Sequence, residues 1–494
     1  MKKEKIFNIL LFVLIFISIL SSLLPVELNN LDEIWQYTFA RNIGNGLVPY
    51  KEISITSTPL ISMIAGLILK LTFDELIVMR ILAAVLCSVV IYTVYKLFKL
   101  LNIKTEISFL FTFLIGWLLL GKYCIDYNFG TLLLILIIIY KEIESYKKDK
   151  VFLKSNIKLD IFLGFLAGLC ITTKQTSGLF TCLALLGNKL LFVTHKEEFK
   201  IYIKSCVYRI IGIIIPVLAF IIYLISNNAF DAFINYSILG ISEFTNTIPY
   251  TFLFKWNIVG VLSILVPLTF VYTVIETVFF EKDKFSYIFC VYGLAMFVIC
   301  FPISDPIHFL VGALPTIILI LYKLYNLLKK IFAKNERNKL IINETVVYLL
   351  IVIVITLICF SVINLVKYFK SRDTYSQNMH FKLIPISSYL ETRINEVAEY
   401  LRKNENTKIL NGDAVVYMIA VDRYNKDYDM LGKGSLGANG ANRIIEEISN
   451  TENIKYLVAK KGIPIQWQMQ TEVLDFIKNN KTKVGEVSIF DIYE

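Results

Sequence analysis

Asp32 and Glu33 are adjacent acids that follow directly on the first apolar run of the chain. Carboxylates at a membrane surface are costly to desolvate, which makes a pair placed there a functional candidate. The competing reading is a helix start, because Asp and Glu suit a first helical turn. Cations accompany them. Arg80 sits inside an apolar run and needs a partner, so it reads either as an ordinary ion pair or as an anion contact. Lys174 ends another apolar run after Thr172-Thr173, and it either snorkels to the interface or binds an anion. Asp126, in a short polar break after Tyr123 and Cys124, is either a second cavity acid or an exposed loop residue. His308 and Asp305 precede a late apolar run, where a lone His is more often a hydrogen-bonded structural residue. Carboxylates of this kind can move a proton, and the cations can hold an anion.

The elements that carry these groups are membrane helices. The chain has 494 residues, of which 56% are hydrophobic and only 18% charged. A soluble domain does not carry that much apolar content. Apolar runs of about 17–25 residues are the mark of helical spans. They occupy 6–25, 76–98, 106–121, 128–141, 158–175, 178–194, 206–226, 257–280, 285–301, 307–326 and 342–366. The formal charge of +10 reads as loop lysine and not as a nucleic-acid surface. The eight cysteines lie in or beside apolar runs with no CxxC spacing, which argues against a metal site or a disulfide framework. The three histidines are scattered, which argues against a zinc site. Residues 1–25 have no small-residue cleavage site and read as an uncleaved first span.

One further run, 58–73, is short and ends near Lys70; whether it crosses sets the parity of everything after it. Positive loop charge stays on the cytoplasmic side. If 58–73 does not cross, the N-terminus and the loops holding Lys99 and Lys104, Lys147 to Lys154, Lys196 to Lys204, Lys282 and Lys284, and Lys329 to Arg337 are all cytoplasmic. If it crosses, every later basic loop falls outside. The run therefore reads as an outer-face juxtamembrane helix beginning at Pro59, a residue suited to a first helical position. About eleven spans follow, with the N-terminus inside and the C-terminus outside. The first outer loop, 26–75, carries Asp32-Glu33. The tail has turn signals at Asn411-Gly412-Asp413 and Gly432-Lys433-Gly434, and short apolar runs at Ala414–Val421 and Ile454–Ala459. Helical patterns lie near 388–403, 441–449 and 467–478, and the alternation suggests a small α/β domain.

These motifs, in this order, resemble the GT-C superfamily of membrane glycosyltransferases, in its protein O-mannosyltransferase and aminoarabinose-transferase branch. The resemblance rests first on the loop Asp32-Glu33, Ala40-Arg41, Gly46-Leu47-Val48-Pro49-Tyr50, Glu52 and Pro59-Leu60. Two positions depart from the family pattern: Glu52 stands where Asp is more usual, and Thr58-Pro59 replaces a common Pro-Pro. Further matches are Met79-Arg80-Ile81-Leu82, the Gly-rich run from Gly164 to Lys174, and Asp305-Pro306-Ile307-His308-Phe309 with Leu314-Pro315. The match spans roughly residues 1–370.

The resemblance implies a polytopic α-helical membrane protein with about eleven spans and outer-face juxtamembrane helices. A transferase domain at 1–366 would precede a small extracytoplasmic α/β domain at 367–494. It implies transfer of a sugar from a polyprenyl-phosphate donor to a glycan, lipid or protein acceptor. In the family Asp32 is placed to deprotonate the acceptor hydroxyl, help worth roughly 10²–10⁴ in rate. Glu33 shares that role, coordinates a divalent cation, or caps the helix; the two side chains diverge by about 100°. Arg80, Lys174, Asp126, His308, Tyr50 and Glu52 are the candidate contacts to the donor phosphate or sugar, and no residue is assigned to a resident metal. The outer loop 227–256, with Tyr236, Glu243, Phe244 and Tyr250, is a candidate cover for the sugar, although aromatics also belong at membrane interfaces. The rival readings are a transporter, which would show repeated halves and a midplane site, and a noncatalytic surface protein, which would not require the acidic loop.

Overall fold

Each apolar run singled out as a candidate span lies on a helix. In chain order the helices are α1 (Lys2–Leu23), α2 (Leu31–Gly44), α3 (Leu60–Leu71), α4 (Leu76–Leu100), α5 (Thr105–Leu118), α6 (Tyr127–Asp149), α7 (Ile157–Thr173), α8 (Gln175–Gly187), α9 (Lys196–Ser226), α10 (Phe230–Phe233), α11 (Ile258–Phe279), α12 (Lys284–Phe297), α13 (Pro306–Phe332), α14 (Glu336–Lys370), α15 (Ser388–Lys403), α16 (Ala414–Ile419), α17 (Gly440–Asn450) and α18 (Thr471–Asn480). The strands are β1 (Thr407–Leu410), β2 (Lys455–Ala459), β3 (Lys483–Val487) and β4 (Phe490–Tyr493). The computed structural model describes residues 2–28, 31–243, 248–280, 283–332, 336–410, 414–428, 435–438, 440–460 and 471–494; within these, the side chains of 2–3, 31, 242–243, 332, 336–343 and 414 are not described. The turn signals at Asn411-Gly412-Asp413 and Gly432-Lys433-Gly434 lie outside the described residues, as do the side chains of Glu243 and Phe244.

Six helices among the described residues, α1, α4, α9, α11, α13 and α14, are long and apolar enough to cross a membrane. Helix α14 leaves Val352, Ile355, Ile358, Val362 and Ile363 exposed. Bare apolar surface of that extent on a helix belongs against lipid. The chain divides into two compact units.

The first unit comprises Met1–Leu23, Ala83–Phe220 and Thr247–Asn364. Its core is built from helix faces, with Leu132, Ile135 and Ile139 of α6, Phe289 and Tyr292 of α12, and Phe309 of α13 all fully buried. A buried ion network ties four of its helices. Arg209 of α9 donates to Glu142 of α6 at 3.0 Å and to Asp160 of α7 at 3.1 Å. The same guanidinium donates to Asn188, just past α8, at 3.1 Å and to the Leu185 carbonyl within α8. Asn188 in turn donates to Glu142. Buried charges persist when they are partnered this fully.

The second unit comprises Leu24–Leu82, Ile221–Asn246 and Leu365–Glu494. Helix α3 has 12 residues, a length of about 18 Å, well short of the ~30 Å hydrocarbon core. It starts at Leu60, with Pro59 one position earlier as the N-cap. One face of α3, with Ser62, Ala65, Gly66 and Leu69, is buried. Ile64, Leu67 and Leu71 are exposed on it. The buried face meets α2 backbone to backbone: a Cβ on Gly44 would lie 2.6 Å from the Gly66 carbonyl oxygen, and one on Gly66 would strike the Ala40 carbonyl.

The tail of this unit holds a four-stranded sheet of order β1-β2-β4-β3, with β1 parallel to β2 and the other pairs antiparallel. Ile444 and Ile448 of α17 and Val473 and Ile477 of α18 bury against Tyr456 and Val458 of β2. Of the two apolar runs in the tail, 455–459 is the strand β2, whereas 414–419 is the helix α16. Residues 415–420 are buried without alternation. A short run with no polar face carries no period that separates strand from helix.

Candidate functional site

In the second unit the acidic pair opens α2. Asp32 is exposed, and Glu33 is half-buried. Glu33 receives a two-pronged bond from Arg80 of α4, Nε to Oε1 at 2.7 Å and a terminal nitrogen to Oε2 at 3.0 Å. The remaining Arg80 nitrogen donates to the carbonyls of Leu24 at 3.2 Å and Val26 at 2.7 Å. Arg80 is 1% exposed. Its partner is thus an acid of the first loop, one of the two solutions its position required. A planar guanidinium matched to a carboxylate fixes orientation as well as charge.

Tyr50 and Glu52 shape the loop that follows. Tyr50 has φ 69° and is fully buried. Its hydroxyl donates to the Ser57 carbonyl at 2.9 Å, and its ring stands edge-on to Phe233. Burial pushes the Tyr50 phenol up, so it stays a neutral donor. Glu52 is exposed and accepts the Val48 N–H at 2.7 Å, closing the turn around Pro49. Tyr236 donates to Asp427 at 2.6 Å, and Arg443 pairs with the other oxygen of Asp427 at 3.0 Å.

Arg41, near the end of α2, collects partners that sequence reading missed. It donates to Asp74 at 2.6 Å and pairs with Asp422, and it lies 3.5 Å from His380 Nε2. His380 is buried between the Asp74 carbonyl, 3.1 Å from Nδ1, and Asp422, 2.8 Å from Nε2. Tyr37, one turn before Arg41, also donates to Asp74. Burial and the Asp74 charge push the Tyr37 phenol up. The Ala40-Arg41 motif marks one member of this cluster, but nothing local in the sequence marks Asp422 or His380.

In the first unit Lys174 stands alone between two helices. α7 ends at Thr173 and α8 begins at Gln175, with Lys174 extended at φ −152° and ψ 110°. The result is a helical hairpin with a one-residue tip. It closes because residue 178 is Gly: a Cβ there would strike the backbone of Ile171. The Lys174 ammonium donates to Asn128 Oδ1 at 2.7 Å and lies 4.9 Å from the centre of the Tyr127 ring. Asn128 donates to Asp126 at 3.1 Å, and Asp126 caps α6 by accepting the Phe129 N–H at 2.8 Å. Burial pushes the Asp126 carboxyl up, against the pull of that N–H and of Lys174. Lys174 is also the N-cap of α8, so its charge adds to the positive end of that helix. Ser177, in the first turn of α8, has a buried hydroxyl with no hydrogen-bond partner among the described residues.

Asp305 caps α13 in the same unit. It accepts the N–H groups of Ile307 at 2.7 Å and His308 at 2.8 Å, and its second oxygen lies 2.9 Å from His308 Nδ1. Burial would push this carboxyl up, but the bond and charge of His308 hold it below the ordinary range. Tyr250 donates to the Ser263 carbonyl at 2.7 Å. Among the described residues no group of three His, Cys, Asp or Glu side chains is arranged to hold a metal ion.

No known family model matches the chain, and no curated protein matches it. Solved structures do. The archaeal oligosaccharyltransferase AglB from Archaeoglobus fulgidus, in complex with an inhibitory peptide and a dolichol-phosphate, is 12% identical with a TM-score of 0.52, and the match covers 92% of this chain and 70% of that one. An A. fulgidus oligosaccharyltransferase tethered to an acceptor peptide containing the NVT sequon is also 12% identical, with a TM-score of 0.51 over 92% and 69% of the two chains. The chain shares the fold of these oligosaccharyltransferases, and six helices among its described residues are long and apolar enough to cross a membrane. Within that fold the acidic loop lies in the second unit and the Lys174 hairpin in the first.

Proposed function

We propose that this chain is an inverting glycosyltransferase. It moves a sugar, a hexosyl or pentosyl group, from a polyprenyl-phosphate donor to an acceptor at the outer face of the cytoplasmic membrane. The acceptor is a glycan, a lipid or a protein. The proposal includes about eleven spans, a cytoplasmic N-terminus, a transferase domain at 1–366 and an extracytoplasmic domain at 367–494. The observation that carries it is the division of labour in the acidic pair. Glu33 is committed to Arg80, while Asp32 is the exposed carboxylate at the head of α2.

Asp32 takes the proton of an acceptor hydroxyl as its oxygen attacks the anomeric carbon. The bond from that carbon to the polyprenyl phosphate breaks, and the electron pair leaves with the phosphate. Inversion follows from a single displacement. In the first unit, Lys174 at the positive end of α8 is a candidate contact for an anion such as a phosphate. AglB, with the same fold, has been solved with a dolichol-phosphate, a lipid phosphate of the class proposed for this donor. A divalent cation remains a candidate cofactor, read by chelation with EDTA and re-addition of Mg²⁺ or Mn²⁺.

The deciding experiment replaces Asp32 with Asn and measures sugar transfer from polyprenyl-phosphate donors in membranes. The expected loss is roughly 10²–10⁴ in kcat. Full activity in Asp32→Asn would remove Asp32 as the base.

A further inference from the structure

The C-terminal segment and the acidic loop fold as one unit, and the tail grips the loop at several points. Before α2, the Leu28 N–H donates to the Pro385 carbonyl at 2.8 Å. Beyond α2, the Tyr424 hydroxyl meets the Ser54 N–H at 3.0 Å and its hydroxyl at 3.1 Å. The Ser54 hydroxyl accepts the Asp427 N–H at 3.0 Å, and Lys426 donates to the Lys51 carbonyl at 2.6 Å. The strongest hold is on α2 itself, through Arg41. This guanidinium is 5% exposed and is held by Asp74 from the loop and by Asp422 from the tail. His380 is buried behind it and bridges the same two acidic residues.

We infer that His380 and Asp422 are positioning residues for Asp32, acting through Arg41 on α2. This rests on the proposed sugar transfer. Neither residue needs to touch the sugar. Arg41 and Asp32 share one helix about 14 Å long between them, and a helix transmits rotation and tilt along its length. The N-terminal end of α2 is set by Glu33 on Arg80 and its C-terminal end by Arg41 in the tail's grip. Releasing one end lets Asp32 swing. A shift of about 1 Å far from the chemistry can cost on the order of 100-fold in rate.

The test uses the full chain in membranes. Asp422→Asn and His380→Ala should each lower kcat roughly 10- to 100-fold while the KM for the lipid donor stays within about twofold. Asp422→Glu and His380→Gln should recover part of the loss. The double variant should be no worse than the poorer single one, because both act through one guanidinium. Independently of transfer, amide hydrogen exchange over residues 31–44 should quicken in both disabling variants. Asp422 is half exposed, so its Asn variant tests the idea even if His380→Ala folds poorly. Wild-type kcat in Asp422→Asn, or a fall in kcat with α2 exchange unchanged, overturns the inference. If the wild-type chain transfers no sugar from any polyprenyl-phosphate donor, the proposed function fails, while the exchange measurement still reads the clamp.

Discussion

The acidic loop and the lysine hairpin fix their charged groups by opposite means. In the loop, a half-buried carboxylate is held by a side chain from another helix, Glu33 by Arg80. The helix that carries it is held in turn by Arg41, Asp74, His380 and Asp422. At the hairpin, backbone geometry does most of the work: α7 and α8 meet at one extended residue, and Gly178 lets them close. Side-chain clamps can be loosened one pair at a time. A backbone turn is either made or broken. The loop is therefore the tunable region and the hairpin the fixed one.

Substitutions can break that comparison in order of expected effect. Asp32→Asn should cost the most activity, roughly 10²–10⁴ in kcat, with little change in folding because the residue is exposed. Arg80→Ala leaves Glu33 with a lost partner and exposes the carbonyls of Leu24 and Val26. It should lower stability by about 3–5 kcal/mol, read as a fall in thermal unfolding temperature in detergent. Arg80→Lys should recover little of this, since an ammonium cannot span both carboxylate oxygens. Lys174→Gln should raise the KM for the lipid donor more than it lowers kcat. Loss of a charged hydrogen bond of about 1.5–3 kcal/mol corresponds to roughly a 10- to 100-fold rise. An unchanged KM would remove Lys174 from phosphate binding.

The smallest effect concerns Asp126, whose carboxyl burial pushes up. A raised carboxyl binds its proton more tightly in the folded state, so stability falls as pH rises from the unfolded value, about 4, through the folded one. Asn keeps the cap and carries no charge to bury. Asp126→Asn should therefore unfold at an equal or higher temperature at pH 7, and this advantage should vanish below about pH 4. A lower unfolding temperature at pH 7 would mean that the ionised form is needed for its link to Asn128.

Much of the helical frame is legible in the sequence, because each apolar run carries its own period and length. The short run before Lys70 is a short helix, α3, and the pair Asp32-Glu33 does open a helix, α2. The tail is less legible. Residues 414–419 have no polar face, and burial on all sides erases the alternation by which a strand is told from a helix. The need of Arg80 for a partner is visible from its setting in an apolar run, and Glu33 is near enough in the chain to be guessed. Asp422 and His380 are not, since they reach Arg41 from hundreds of residues away. Contacts closed over that distance leave no local spacing to read.

The one-residue tip at Lys174 also limits how that residue can move. A connection this short leaves the backbone no slack, so the root of the side chain is set when the chain folds. Only rotation about the side chain's own bonds is left to carry the ammonium from Asn128 to any other partner.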